Sequence, residues 1–270
     1  VPAPCQMTCP AGIDIPTYVN LIGQGHDAEA IEVIRRDNPF PWVCGLVCTR
    51  PCEFMCVRGR IDRPVAIKPL KGFAAERALS WGEYRNPPRE ADKGQKVAVI
   101  GAGPGGMSAA YYLALKGYGV TVIEAQPTAG GMILLGIPRY RLPREVIDRE
   151  VGMLRELGET AEAMGMNAYI IGGFVRDIFL RRDNLDVDLV IEAVFEDLAL
   201  KRKILKDVEE NCGNSTIFAS NTSALPLKSI AEGCRRPQNV VGMHYFSPVP
   251  RMPLLEIIRT EKTADWATSP

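Results

Sequence analysis

Apolar positions change rhythm along the chain. Between residues 18 and 38, YVNLIGQGHDAEAIEVIRRDN carries apolar residues at helical spacing. From residue 95 the rhythm alternates. QKVAVIGAGPGGMSAAYYLALKGYGVTVIEA predicts a buried strand over Val97–Ile100, a glycine-rich turn, a helix to about Lys116, and a second strand over Val120–Ile123 that ends at Glu124. A further short strand is expected through DVDLVIE. The pattern implies a helical N-terminal part followed by α/β structure. The clearest linker is RNPPREADKGQ, Arg85–Gln95. Internal repeats are absent.

Composition narrows the class. With 270 residues and 46% apolar content, one large or two modest cores are expected. Basic and acidic residues balance at 32 each, so no global field draws nucleic acid or an anionic membrane. The longest apolar runs are too short to span a bilayer. The chain opens VPAPCQMTCP, with no Met, no basic start and no apolar signal core. A fragment or processed end, and a cytoplasmic location, are expected.

Six of the eight cysteines lie between Cys5 and Cys56. Cys5 and Cys9 sit in PCQMTCPAGIDIP, and Cys44, Cys48, Cys52 and Cys56 in CGLVCTRPCEFMC at equal C-x3-C steps. Clustered thiols in a chain of this kind point to metal, and soft thiolates suit iron–sulfur clusters or zinc. Pro10, Pro16 and Pro51 fix turns beside them. CPAGIDIP, NPFPWVCGLVC, PCEFMC and RPVAIKPLKGFAAERAL resemble the N-terminal iron–sulfur domain of the glutamate synthase small subunit and dihydropyrimidine dehydrogenase. The resemblance implies a [4Fe–4S] cluster held by these cysteines. Six thiolates cannot fill two four-cysteine sites, so one cluster is expected; which cysteines share it stays open.

Gly101, Gly103 and Gly106 form G-x-G-x-x-G between a strand and a helix, and Glu124 follows by about twenty residues. That frame predicts a dinucleotide: a tight turn, close backbone approach to a pyrophosphate at the helix N-terminus, and a carboxylate for the ribose 2′-hydroxyl, which disfavours a 2′-phosphate. The loop alone does not choose between FAD and NAD. AGGMILLGIPRYRLPREVIDREV resembles the glutamate synthase-like flavoproteins, which implies FAD, with Gly130 and Gly131 touching it and NADPH as the other partner.

Two further resemblances follow. AYIIGGFVRDIFLRRDNLDVDLVIE, within residues 157–192, resembles the head of tRNA nucleotidyltransferases and poly(A) polymerases. It implies Gly172 and Gly173 near a triphosphate, the "RD" of Arg176 and Asp177, and Mg²⁺ between Asp186 and Asp188, although D-x-D taken alone is more often a solvated strand end. Residues 190–263 resemble 3-hydroxyacyl-CoA dehydrogenase through VIEAVFED, SNTS, GMHYFSP and LLE. The resemblance implies His244 as base, Glu256 as its orienting carboxylate, Ser223 beside the substrate oxygen, Glu196 near NAD, and an acyl-CoA substrate. A neutral imidazole held by a carboxylate suits a base near neutral pH.

The expected architecture is therefore α/β: a helical iron–sulfur domain over 1–92, then a partial Rossmann-like region assembled from incomplete pieces at 93–157, 158–191 and 192–270. The joins fall inside shared words, LRELGE and DLVIE, rather than in exposed linkers, as in a stitched composite. Unless one sheet borrows from several pieces, strands should lack partners. The leading functional expectation is an electron-transfer oxidoreductase of the glutamate synthase small-subunit type, with [4Fe–4S], FAD, NADPH and a redox partner subunit. The alternatives are a 3-hydroxyacyl-CoA dehydrogenase fragment using NAD, or a non-functional composite. No membrane or nucleic-acid partner is expected.

Overall fold

The computed structural model describes residues 2–124, 126–163, 170–172, 188–245 and 255–268, and only the backbone of 155–163, 170–172 and 245. The chain divides into two units: Val1–Pro88 with Gly136–Glu150 and Ser247–Pro253, and Arg89–Leu135 with Val151–Phe246 and Leu254–Pro270.

The first unit is helical. Its helices are α1 (Pro4–Thr8), α2 (Ile15–Gly23), α3 (Asp27–Arg35), α4 (Pro41–Val47), α5 (Pro51–Phe54) and α6 (Ile67–Trp81). Three of them begin on proline and α2 has Pro16 as its second residue; the fixed φ and missing N–H of proline suit a first turn. Asp14 caps α2 by accepting the Thr17 N–H at 3.3 Å and the Thr17 hydroxyl at 2.7 Å. Ile15, Tyr18, Ile31, Ile34, Ile67 and Ala75 form the core. Tyr18 is buried and its hydroxyl donates to the Ile67 carbonyl at 3.2 Å, which satisfies the one polar group that burial would leave unpaired.

Glu150 is 1% exposed and acts within this unit as a remote cap for α4. It accepts from the Trp42 N–H (2.7 Å), the Val43 N–H (2.8 Å) and the Tyr84 hydroxyl (2.8 Å). Those first-turn N–H groups have no partner inside the helix, so a carboxylate there also meets the favourable end of the dipole. Burial still dominates and pushes the Glu150 carboxyl up to about 7.

The second unit is built on β1 (Lys96–Ile100), α7 (Pro104–Leu115), β2 (Gly119–Glu124), α8 (Gly131–Leu135), α9 (Arg144–Ala163, from its second turn on), β3 (Ile170–Gly172), β4 (Leu189–Glu192), α10 (Leu198–Asn211), β5 (Ile217–Ser220), α11 (Leu227–Ala231), β6 (Val240–Tyr245) and β7 (Leu255–Ile258). Among the described residues the strands form one seven-stranded sheet in the order β3-β2-β1-β4-β5-β6-β7. All pairs are parallel except β6 with β7. Parallel strands covered on both faces need near-continuous apolar runs, and VAVI, LVI and VTVI, interrupted by Thr121, supply them.

The pieces expected to lack partners share this sheet. Val97 of β1 pairs with Val120 on one side and Leu189 on the other, so strands from separate resemblances flank one another in register. The Lys96 N–H donates to Asp188 Oδ2 at 3.1 Å and the Asp188 N–H returns to the Lys96 carbonyl at 3.2 Å, closing the start of this pair. The core joins both parts: Ala98, Ile100 and Ile123 pack with Val190, Phe218 and Val240 under Ile204, Leu205 and Val208 of α10. Strand order reverses between β1 and β4, which opens a crevice at their carboxyl ends.

Candidate functional site

The loop after β1 occupies that crevice. Gly101 has φ +107°, and a Cβ there would lie 2.8 Å from the Ala193 carbonyl oxygen. A Cβ on Gly106 would lie 1.9 Å from the Gly101 oxygen, so only glycine lets α7 start this close to the strand. Gly103 is the N-cap of α7. Glu124, at the end of β2, accepts the Ala102 N–H at 2.6 Å and the Gln126 N–H at 2.9 Å. The Gly130 N–H donates to the Ala102 carbonyl at 2.8 Å, and the Gly131 turn packs on Gly103. Gly101, Gly103, Glu124, Met132, Phe195 and Lys203 are among the residues that line a cavity of about 510 Å³. A helix N-terminus, close-packed glycines and a carboxylate at one end fit a dinucleotide.

Beside the loop, the carboxyl ends of β4 and β5 hold a charged network. Lys201 and Glu192 are both fully buried and pair at 2.7 Å. Glu192 also accepts from the Ser220 hydroxyl (2.6 Å) and the Val194 N–H (2.8 Å). Lys201 reaches Glu196 at 3.7 Å, and Glu196 accepts the Ser223 N–H (2.6 Å) and the Thr222 hydroxyl (2.8 Å). Burial raises the Glu196 carboxyl, but the Ser223 N–H, the Thr222 hydroxyl and the Lys201 charge outweigh it and hold the group below its ordinary value. Ser223 and Glu196, expected near substrate and cofactor, thus sit together, with the serine backbone fixed by the acid.

His244 and Glu256 meet across the last strand pair. They are direct register partners on antiparallel β6 and β7, and His244 Nδ1 lies 3.1 Å from Glu256 Oε2. An ionised carboxylate only accepts, so Nδ1 is the donor of this contact, and in a neutral ring Nε2 is then the basic nitrogen. The side chain of His244 is 22% exposed, against 52% for Glu256, so the imidazole is sheltered while the acid faces solvent.

The first unit gathers most of its cysteines. Helices α1 and α5 pack together, which brings Cys5 and Cys9 to Cys52 and Cys56. Arg50 adopts a left-handed conformation (φ 54°) in CTRPC and turns its N–H onto Cys48 Sγ at 3.3 Å; the Val65 N–H donates to Cys56 Sγ at 3.4 Å. Burial pushes the Cys52 thiol up to about 11, with Cys9 and Cys48 adding to the shift. Burial also raises Cys5, with Cys56 and Cys9 contributing. Such thiols need a metal to ionise them. No three His, Cys, Asp or Glu groups among the described residues converge as a single-ion site. A cluster spreads its thiolates over four irons, so spaced thiols that receive N–H donors fit it better than a lone ion. Cys44 differs from the rest. Its Sγ meets Asn38 Oδ1 at 3.7 Å, and burial raises it, with Lys71 lowering it and Glu150 raising it further.

Residues 96–269 match the family described as 3-hydroxyacyl-CoA dehydrogenase, NAD binding domain. The chain belongs to the 3-hydroxyacyl-CoA dehydrogenase NAD-binding domain family. This family's match begins at β1, so it takes in the glycine loop, the segment expected to be a nucleotidyltransferase head, and the His244–Glu256 pair. In this family member Asp188 accepts the Lys96 N–H and ties the start of β4 to β1; its expected partner Asp186, with Arg176, Asp177 and Gly173, lies outside the described residues, and Gly172 ends β3. Residues 1–82 match dihydropyrimidine dehydrogenase domain II, 4Fe-4S cluster.

The dehydrogenase-family chain is 42% identical over 181 residues to the NADP(+)-dependent formate dehydrogenase subunit beta of Moorella thermoacetica, covering 59% of this chain and 26% of that one. It is 63% identical over 156 residues to the fatty acid oxidation complex subunit alpha of Shewanella loihica, covering 54% and 22%. Among solved structures, (S)-3-hydroxybutyryl-CoA dehydrogenase from Ralstonia eutropha aligns at 27% identity with a TM-score of 0.43, over 64% of this chain and 56% of that one. The chain spans between about a tenth and a quarter of the length of the curated relatives it matches. No helix among the described residues is long and apolar enough to cross a membrane.

Lys201, Glu192, Ser220 and Thr222 escaped the sequence reading. Their signal was faint: an acid ending an apolar strand, and a lysine nine positions on, in the first turn of the next helix.

Proposed function

We propose that the second unit is an NAD-linked dehydrogenase site for 3-hydroxyacyl thioesters. The observation that carries this reading is the β6–β7 register that sets His244 against Glu256. NAD, when bound, accepts the hydride. Gly101, Gly103 and Gly106 would hold its phosphates and Glu124 its ribose. Nε2 of His244 takes the substrate hydroxyl proton, Glu256 orients the ring and stabilises the imidazolium, and Ser223 meets the substrate oxygen. Substituting His244→Ala should abolish acetoacetyl-CoA-dependent oxidation of NADH while leaving NADH binding intact. A variant as active as its parent would refute the assignment.

The first unit supports a second activity. The thiol grouping and its N–H donors favour one [4Fe–4S] cluster on thiols drawn from Cys5, Cys9, Cys48, Cys52 and Cys56, with Cys44 outside it. Such a domain passes single electrons, and the beta subunits among the relatives suggest a partner subunit and an NADPH-linked reaction, as in the glutamate synthase small-subunit type. FAD on the same glycine loop is the competing reading there, favoured by the Gly130–Gly131 turn against Ala102 and Gly103. Flavin fluorescence from the purified protein after acid release decides between the two cofactors. Cysteines clustered as metal ligands favour a cytoplasmic location.

A further inference from the structure

The segment that follows Cys52 is exposed almost without interruption. Every residue from 57 to 64 faces solvent. Phe54 is 80% and Ile61 87% exposed, and Met55 and Val57 are half exposed. Met7 is also half exposed, on α1, which packs against α5. Folding alone gives no reason to leave large apolar side chains this bare, so the patch reads as an interaction surface.

Its charge is equally one-sided. The two acids in the ridge are occupied. Asp62 is gripped by Arg58 at 3.0 and 2.9 Å, and Glu53 accepts the Lys68 N–H at 2.9 Å and pairs with Arg50 at 3.5 Å. Arg60 and Arg63 are exposed and pair with no acid among the described residues. The surface is an apolar centre with an uncompensated basic rim, and it lies beside Cys56, whose Sγ is held from Val65 at the far end of the ridge.

We propose that this ridge is the docking site for a small one-electron carrier protein with an acidic face. The inference rests on the reading that thiols among Cys5, Cys9, Cys48, Cys52 and Cys56 hold a cluster. An apolar contact centred on Phe54 and Ile61 would exclude water over the thiolates. Arg60 and Arg63 would steer an acidic partner and reject a basic one. One electron then crosses, so the cluster and the carrier change charge by one unit in opposite senses.

The test uses the full chain purified without oxygen. An acidic plant-type [2Fe–2S] ferredoxin is the probe and basic cytochrome c the control, with binding followed by calorimetry at low and moderate salt. The expected result is ferredoxin binding that weakens with salt, falls by roughly tenfold or more in Arg60→Glu/Arg63→Glu, and falls also in Phe54→Ser. The visible spectrum of both variants should match the parent. Equal binding of cytochrome c, unchanged ferredoxin binding by the charge-reversed variant, or a spectrally intact parent that ignores ferredoxin would each overturn the proposal. So would self-association abolished by Phe54→Ser in sedimentation velocity, since the ridge would then join two copies of this chain. A colourless parent that still binds ferredoxin with the same sensitivity to these substitutions would support the docking site and refute the cluster.

Discussion

Replacing Lys201 with methionine tests the charged network most directly. The methionine keeps nearly the same length and packs on Ile204 and Leu205, so the space stays filled. The ammonium is lost, and with it the 2.7 Å contact to Glu192. Glu192 keeps the Ser220 hydroxyl and the Val194 N–H, but it has no access to water. Breaking one partner out of a buried pair costs about 3–5 kcal/mol. That is a large fraction of the total stability of a domain, about 5–15 kcal/mol. Adding Glu192→Gln removes the stranded charge. The amide oxygen still accepts from Val194 and the amide nitrogen donates to Ser220, so the double variant should return to within about 1–2 kcal/mol of the parent. Urea unfolding at neutral pH, followed by far-ultraviolet circular dichroism, measures all four corners of the cycle. The reasoning fails if the single variant loses less than about 1 kcal/mol, or if the double variant is no more stable than the single.

Other outcomes are equally concrete. Glu256→Gln should lower kcat by about 10- to 100-fold, because the ring loses its ionised partner, while thermal stability stays within a degree or so of the parent given the exposure of the acid. Cys52→Ser should abolish the visible cluster absorption and Cys44→Ser should preserve it; the reverse pattern would reassign the ligands. Glu150 has a folded value near 7, above its unfolded value, so its contribution is fully present below about pH 4.5 and is lost as pH rises through 7. Urea midpoints for the first unit should therefore fall between pH 5 and 8, and a midpoint that rises over that range contradicts the assignment. Gly106→Ala, whose methyl would meet the Gly101 oxygen, should abolish NADH binding measured by fluorescence titration.

Local chemistry was the legible part of the sequence. The glycine loop, the acid at Glu124, the cysteine steps and the His244–Glu256 pair are each carried by residue types at short spacing, and each is placed by an element with a matching period. What escaped was pairing at a distance. Nothing in LVIE states that it will lie beside VAVI more than ninety positions earlier; that choice depends on which apolar strand can cover the open side of β1. Separate resemblances therefore suggested separate pieces, while the backbone ladder makes one sheet of them. The burial of Lys201 was hidden for a related reason. It lies in LKRKILKD among three other cations, and only the position of Glu192 on the neighbouring strand decides which of them goes inside.

The β6–β7 pair has a consequence for how this protein would lose function. Among the described residues, Glu256 sits on the outermost strand of the sheet, paired along one side only, with Leu255 and Ile257 exposed. Such a strand opens in small fluctuations that leave the parallel centre untouched. Each opening separates the imidazole from its carboxylate without unfolding the core. Catalytic competence would therefore melt away at a lower temperature than the fold, and a preparation could look fully native by circular dichroism while a growing share of its molecules had no working base.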